Sequence, residues 1–124
     1  MENKIRIKQG DVVVMSLGTG TGNEKSGIRP VVVVSSSIIN ETSGNVIVAP
    51  LTSAENKIDE KGNAKLLVTQ IWMSAKHYKF LDKHSIIQLE DIRSVSKGRV
   101  HKHLGELSES LLKQVIERSR YLFE

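Results

Sequence analysis

The chain has 124 residues, 18 Lys+Arg against 14 Asp+Glu, a net charge of +4 and no cysteine. That length supports one domain, 1–124, with a core of its own, and the missing thiols exclude a disulfide scaffold, an iron–sulfur cluster, a thiolate zinc site and a cysteine nucleophile. No apolar run approaches the length needed to cross a bilayer, and MENKIRIKQGD at the N-terminus is too interrupted by charge for a signal peptide, so a cytoplasmic protein with no membrane role is expected.

Valine (13) and isoleucine (12) outnumber leucine (11) and alanine (4), which favours pleated sheet over helix. In chain order, 10–17 (GDVVVMSL) and 30–36 (PVVVVSS) are short apolar runs bounded by Gly, Pro and Ser, and read as buried strands. Between them, 18–29 (GTGTGNEKSGIR) holds four glycines among polar residues and suits neither regular element. Residues 45–51 (NVIVAPL) form a third strand, 52–64 a polar loop, and 65–71 a fourth strand. The stretch 73–83 is a helical turn or a loop. Two further strands follow at 84–90 and 91–97, and a seventh at 99–107 after Gly98. A helix closes the chain. Ser108 is its N-cap, and Leu111, Leu112, Val115, Ile116, Ser119 and Leu122 recur on one face. Six or seven short strands with one helix predict a mainly β (α+β) fold, a small and strongly curved barrel with helical decoration.

The Gly-rich segment is not a phosphate-binding P-loop. That motif needs Gly immediately before Lys, where this chain has the anionic Glu24, and it must open a helix, whereas Arg29-Pro30-Val leads into a strand. What remains is a lid ending in Arg29-Pro30. Proline pins the backbone, and the guanidinium offers a two-pronged donor to phosphate or to a surface carboxylate. Thr52-Ser53 closes the third strand, as a turn or as a pair of donors to a phosphate oxygen. His101 and His103 at alternate strand positions would share a face, but two histidines lack the third ligand of a catalytic zinc site, and solvated edge residues are the better reading. Residues 93–103 carry Arg93, Lys97, Arg99 and Lys102 with no acid, a solvated face or a nucleic-acid contact. Trp72, Tyr78 and Phe80 are too few for a track of stacked bases.

Taken together, GDVVVMSL, Asn23-Glu-Lys25-Ser-Gly-Ile-Arg29-Pro, VVVVSS, Asn45-Val-Ile-Val-Ala-Pro-Leu-Thr52-Ser53, the Asp82–Arg99 stretch and the Leu107-Ser-Glu-Ser-Leu-Leu helix resemble the MazF/PemK (Kid) family of toxin endoribonucleases. The resemblance implies an SH3-like barrel with short helices, also seen in gyrase-poisoning toxins of the CcdB type, and a homodimer. It further implies metal-independent, cofactor-free cleavage of single-stranded RNA, inhibition by a cognate acidic antitoxin, and contact with operator DNA only through the antitoxin complex. In the MazF branch the Gly-x-Arg-Pro arginine and the Thr-Ser threonine are the catalytic pair, which here are Arg29 and Thr52. Asn23, Glu24, Lys25, Ser53, Arg93 and Arg99 are the supporting or RNA-binding candidates. Asn23 stands where many relatives have Ser or His, and an amide cannot shuttle a proton. The Kid branch uses an arginine and an acid further along, but Lys65–Met73 has neither Arg nor Asp. The alternative is a non-catalytic SH3-like binding module or a gyrase poison.

Overall fold

The structure, a computed structural model, describes residues 6–18 and 27–124, with the backbone alone at Asn56. Its strands are β1 (Asp11–Ser16), β2 (Ile28–Val33), β3 (Asn45–Ser53), β4 (Gln70–Met73), β5 (Ser85–Gln88), β6 (Arg93–Ser96) and β7 (Val100–Glu106). The helices are α1 (Ser37–Thr42) and α2 (Glu109–Ser119). Every strand pairing is antiparallel, in the order β4-β5-β3-β2-β1-β7, with β6 also on β3.

β3 organises this sheet. One of its edges takes β2, through Val31↔Pro50, Val32↔Ala49 and Val33↔Val48. Its other edge takes β6 along Asn45–Val48 and β5 along Leu51–Ser53. β5 and β6 therefore follow one another along a single edge, joined by a tight turn at Leu89–Asp91 whose Leu89 is fully buried. Side chains alternate across the pleat and both faces are covered. On one face Val12, Val32, Ala49, Leu51 and Ile71 pack with Val115 of α2; on the other lie Val13, Met15, Val31, Val33, Val48 and Val95.

The fold class is the expected one, with differences that have local causes. The curved sheet does not close: among the described residues no pairing joins β7 to β4 or β6. Val95 and Val100 instead pack on the same core cluster, so side chains fill the seam that a closed barrel would bridge with hydrogen bonds. β2 begins two residues before Pro30. There it touches only β1, so the N–H that proline lacks has no second neighbour to serve. β4 starts at Gln70 rather than 65. Leu67 and Val68 are exposed, and the buried Gln70 side chain accepts from the Leu67 N–H at 3.1 Å, fastening a turn in place of a strand. The ambiguous 73–83 stretch is a series of turns.

α1 is absent from the sequence reading, because six residues carry no helical periodicity. Tertiary contacts fasten it: buried Asn40 donates from Nδ2 to the Ser35 carbonyl at 2.9 Å, and the Ser35 hydroxyl accepts from the Ile47 N–H at 3.0 Å. α2 begins as predicted, with Ser108 Oγ accepting from the Leu111 N–H at 3.2 Å, and Val115 with Leu111, Leu112 and Leu122 packs on the core as expected, but Ile116 is exposed.

β7 depends on glycine at one point. A Cβ added to Gly105 would sit 2.7 Å from Phe80 Cε2 and 3.0 Å from Cδ2. Gly105→Ala is therefore expected to destabilise the protein by about 1–3 kcal/mol, as overpacking does. The check is the urea midpoint at constant m-value. A midpoint equal to the parent's would show that the Phe80 ring moves aside freely.

Candidate active site

Arg29 lies on β2 across from the fully buried Met15 of β1, half-buried itself. Carrying the β2–β3 register two residues past its last bonded pair sets Arg29 across from Thr52, on the same face of the sheet. Thr52 is in turn paired with Ile86 of β5, and Ile86 with Trp72 of β4. By that extension the two principal sequence candidates fall on one row, Met15–Arg29–Thr52–Ile86–Trp72, two residues beyond the last β2–β3 pair, Val31↔Pro50.

The Gly-rich segment is pinched shut at its base. The Leu17 N–H donates to the Gly27 carbonyl at 2.8 Å, and the Gly27 N–H to the Gly18 carbonyl at 2.7 Å. Gly18 and Gly27 both have positive φ, 72° and 75°, which lets the chain leave β1 and rejoin β2 over so short a neck. Arg99, in the turn before β7, brings Nη1 to within 3.2 Å of where a Gly18 Cβ would stand. Arg93 opens β6 opposite Val48, on the Thr52 face but four residues earlier on β3. The structure therefore gathers Arg29, Thr52 and Arg99 towards the loop neck, with Arg93 at a distance. Asn23, Glu24 and Lys25 lie outside the described residues.

Ser53 points the other way. Its Oγ accepts from the Glu55 N–H at 3.4 Å, capping the turn Ala54–Lys57. It lines a cleft of about 280 Å³ with Pro30, Leu51, Thr52, Phe80 and Lys83. Lys83 carries no signal in the sequence, being an isolated lysine outside the basic run. Its Nζ lies 2.9 Å from Glu55 Oε1, and that hydrogen bond, then the charge of the same carboxylate, raises its pKa above the usual 10.5. An exposed, permanently charged ammonium therefore stands at the cleft mouth beside Thr52.

The histidines differ from the alternation expected of them. The β1–β7 register skips between Val12 and Val13 and between Val14 and Met15, so His101 falls in a bulge and does not share a regular face with His103. His103 Nε2 lies 3.5 Å from Oδ1 of Asp11, whose side chain is 1% exposed; Asp11 Oδ2 accepts from the Lys8 N–H at 2.8 Å. Among the described residues no three His, Asp or Glu gather as a metal site would require.

An open antiparallel sheet with an Arg–Thr pair on one face and cations at the loop neck has the chemistry of a polyanion-binding protein. The profile of the PemK-like, MazF-like toxins of type II toxin–antitoxin systems matches residues 8–123, and the chain belongs to that family. It is 40% identical over 109 residues to the endoribonuclease MazF of Staphylococcus epidermidis, covering 88% of this chain and 84% of that protein. Among solved structures it resembles MazF from Deinococcus radiodurans (TM-score 0.73, 22% identity, 96% of this chain and 97% of that one). The structure of a mycobacterial endoribonuclease in complex with its cognate antitoxin is also similar (TM-score 0.68, 17% identity, 93% of this chain and 92% of that one).

The loop neck carries a stability test. Gly27→Ala forces an L side chain into the left-handed region and should cost about 1–2 kcal/mol. Gly18→Ala should cost more, because its Cβ also meets Arg99. Urea denaturation of the two variants side by side checks the order, and equal losses would show that Arg99 does not rest on the neck.

Proposed function

We propose that the chain is an endoribonuclease toxin that cuts single-stranded RNA, mRNA included, at a short sequence without a metal ion, and so inhibits translation and growth. The observation that carries this reading is the shared row of Arg29 and Thr52 in a chain of the PemK/MazF family. The competing binding-module and gyrase-poison readings are not favoured, since a 40%-identical relative is itself an endoribonuclease.

Metal-free cleavage uses the substrate's own 2′-hydroxyl. Its oxygen attacks the neighbouring phosphorus in line, the bond to the 5′-oxygen breaks, and the products are a 2′,3′-cyclic phosphate and a 5′-hydroxyl. The protein has to hold the attack geometry and stabilise the charge gathering on the non-bridging oxygens. Arg29 supplies a permanent cation with two donors at fixed spacing. Its role is electrostatic first, and second to donate towards the departing 5′-oxygen, which takes up a proton as its bond to phosphorus breaks. Thr52 donates its hydroxyl proton to a phosphate oxygen, while Ser53, on the opposite face, supports it by capping the turn that ends the strand. Glu24 is the nearest sequence candidate for orienting or accepting the 2′-proton. Arg93 and Arg99 add backbone phosphate contacts, with Asn23 and Lys25 as further RNA contacts from the loop.

The partner is a cytoplasmic antitoxin with an acidic, flexible segment that folds across a toxin dimer and competes with RNA for the same cations. Operator DNA is reached only through that complex.

Cleavage is expected to persist in EDTA with cyclic-phosphate ends; loss with chelator and rescue by magnesium would refute the mechanism. Arg29→Lys keeps the charge but loses the fork, and Thr52→Ala loses one donor. Each should lower kcat/KM on the order of 10²-fold, the scale for one oxyanion-type donor, with little change in stability. Folded variants that cut at the parental rate would remove both residues from the chemistry. For the antitoxin, an RNA carrying 2′-deoxy at the scissile step should be expelled by the acidic peptide, as fluorescence anisotropy of the labelled RNA would show. Simultaneous binding at unchanged RNA affinity would rule out competition.

A further inference from the structure

We propose that Trp72 is a stacking platform for one nucleobase flanking the scissile phosphate, and that the cavity beside it helps set the cleavage sequence. This rests on the RNA-cleaving reading above. Trp72 closes the Arg29–Thr52 row: it pairs with Ile86, which pairs with Thr52. Two strand spacings separate it from Thr52, about 10 Å, within reach of a neighbouring nucleotide. β4 is the last strand on its side of the sheet, so among the described residues nothing continues the pleat beyond Trp72, and the indole is only partly buried.

The ring is held in place from behind. His84 lies 5.2 Å away between centroids, with the planes tilted by 33°. Its Nδ1 accepts the Ala75 N–H at 3.0 Å, which fixes the imidazole and leaves the proton on Nε2. A ring braced in this way loses little conformational freedom when a base settles on it.

Beyond the edge strand a cavity of about 520 Å³ opens, lined by Trp72, Ser74, His77, Tyr78 and the first residues of α2. Tyr78 and Ser108 are tied to each other, the tyrosine hydroxyl donating to Ser108 Oγ at 3.3 Å and accepting the Ser108 N–H at 3.2 Å, so that wall is rigid. His77 and Ser110 are exposed on the rim and carry both donors and acceptors. An aromatic face with polar groups at its margin matches how unpaired RNA bases are taken: stacked by the ring and read at their edges. The chain lacks the aromatics for a track of bases, but one ring is enough for one base.

Trp72 is the single tryptophan, so its emission reports on the site directly. The experiment titrates the intact protein with the four homopolymeric ribo-oligonucleotides, each also annealed to its complement. At least one single strand should quench the emission saturably, and its duplex should not. Trp72→Ala should lower kcat/KM on the protein's own RNA target by about 5- to 150-fold, the value of one stacked base, with Trp72→Phe recovering most of it. An abasic ribose at the stacked position should erase the difference between parent and Trp72→Ala. Unchanged emission with all four strands would overturn the inference. RNA cutting without quenching removes the platform and leaves the nuclease; quenching without cutting removes the nuclease and leaves a base-binding site.

Discussion

Much of the architecture follows from the sharing of β3. A nine-residue strand hydrogen-bonded to one neighbour on one edge and to two successive neighbours on the other cannot lie flat. The sheet curls around it, both faces become covered, and its C-terminal end outruns its pairing with β2. Those last residues, Leu51–Ser53, are the point where the sheet changes partners. Alternation then assigns the roles: Thr52 faces the Arg29 side, while Leu51 enters the other core and Ser53 turns to cap the next segment. A slip of one residue between β2 and β3 would put Arg29 and Thr52 on opposite faces.

The same junction explains why Pro30 is tolerated and useful. Proline inside a two-sided strand would cost a ladder hydrogen bond, but β2 has only β1 beside it at that point. The residue stiffens the backbone next to Arg29, so a guanidinium at a strand end keeps its position without a second ladder. The neck at Leu17–Gly27 does the corresponding work on the other side, holding the two ends of the Gly-rich segment together beside Arg29. Two positive-φ glycines and one imino acid thus set the backbone geometry on either side of Arg29.

The charged pairs of the structure differ in burial and in weight. Lys8–Glu106 and Arg120–Glu124 are exposed pairs of little energetic weight. Asp11 is different: a carboxylate buried in the β1–β7 pairing, with a backbone N–H on one oxygen and His103 near the other. It gives the bulged histidine strand a structural reason for its imidazole. Lys83–Glu55 is a third exposed pair, set apart only by its place at the cleft that Thr52 and Ser53 also line.

Sequence alone determined the predominance of strand, the C-terminal helix with Ser108 as its cap, the failure of the P-loop pattern, and Arg29 and Thr52 as residues of interest. These are readable because β-branched runs, caps and fixed spacings are local properties of the chain. It could not determine that Arg29 and Thr52 share a row, because register is a relation between segments separated by α1. Nor could it show α1 itself, held by a buried Asn40–Ser35 contact, the late start of β4 fastened by Gln70, or the bulge that breaks the His101–His103 alternation. The same limit applied to Lys83 and to Trp72, an isolated lysine and an isolated aromatic whose meaning lies in what packs across from them. Pairing between distant strands decided each of these, because a hydrogen-bonded ladder fixes which side chains meet, and that information is carried by no single stretch of sequence.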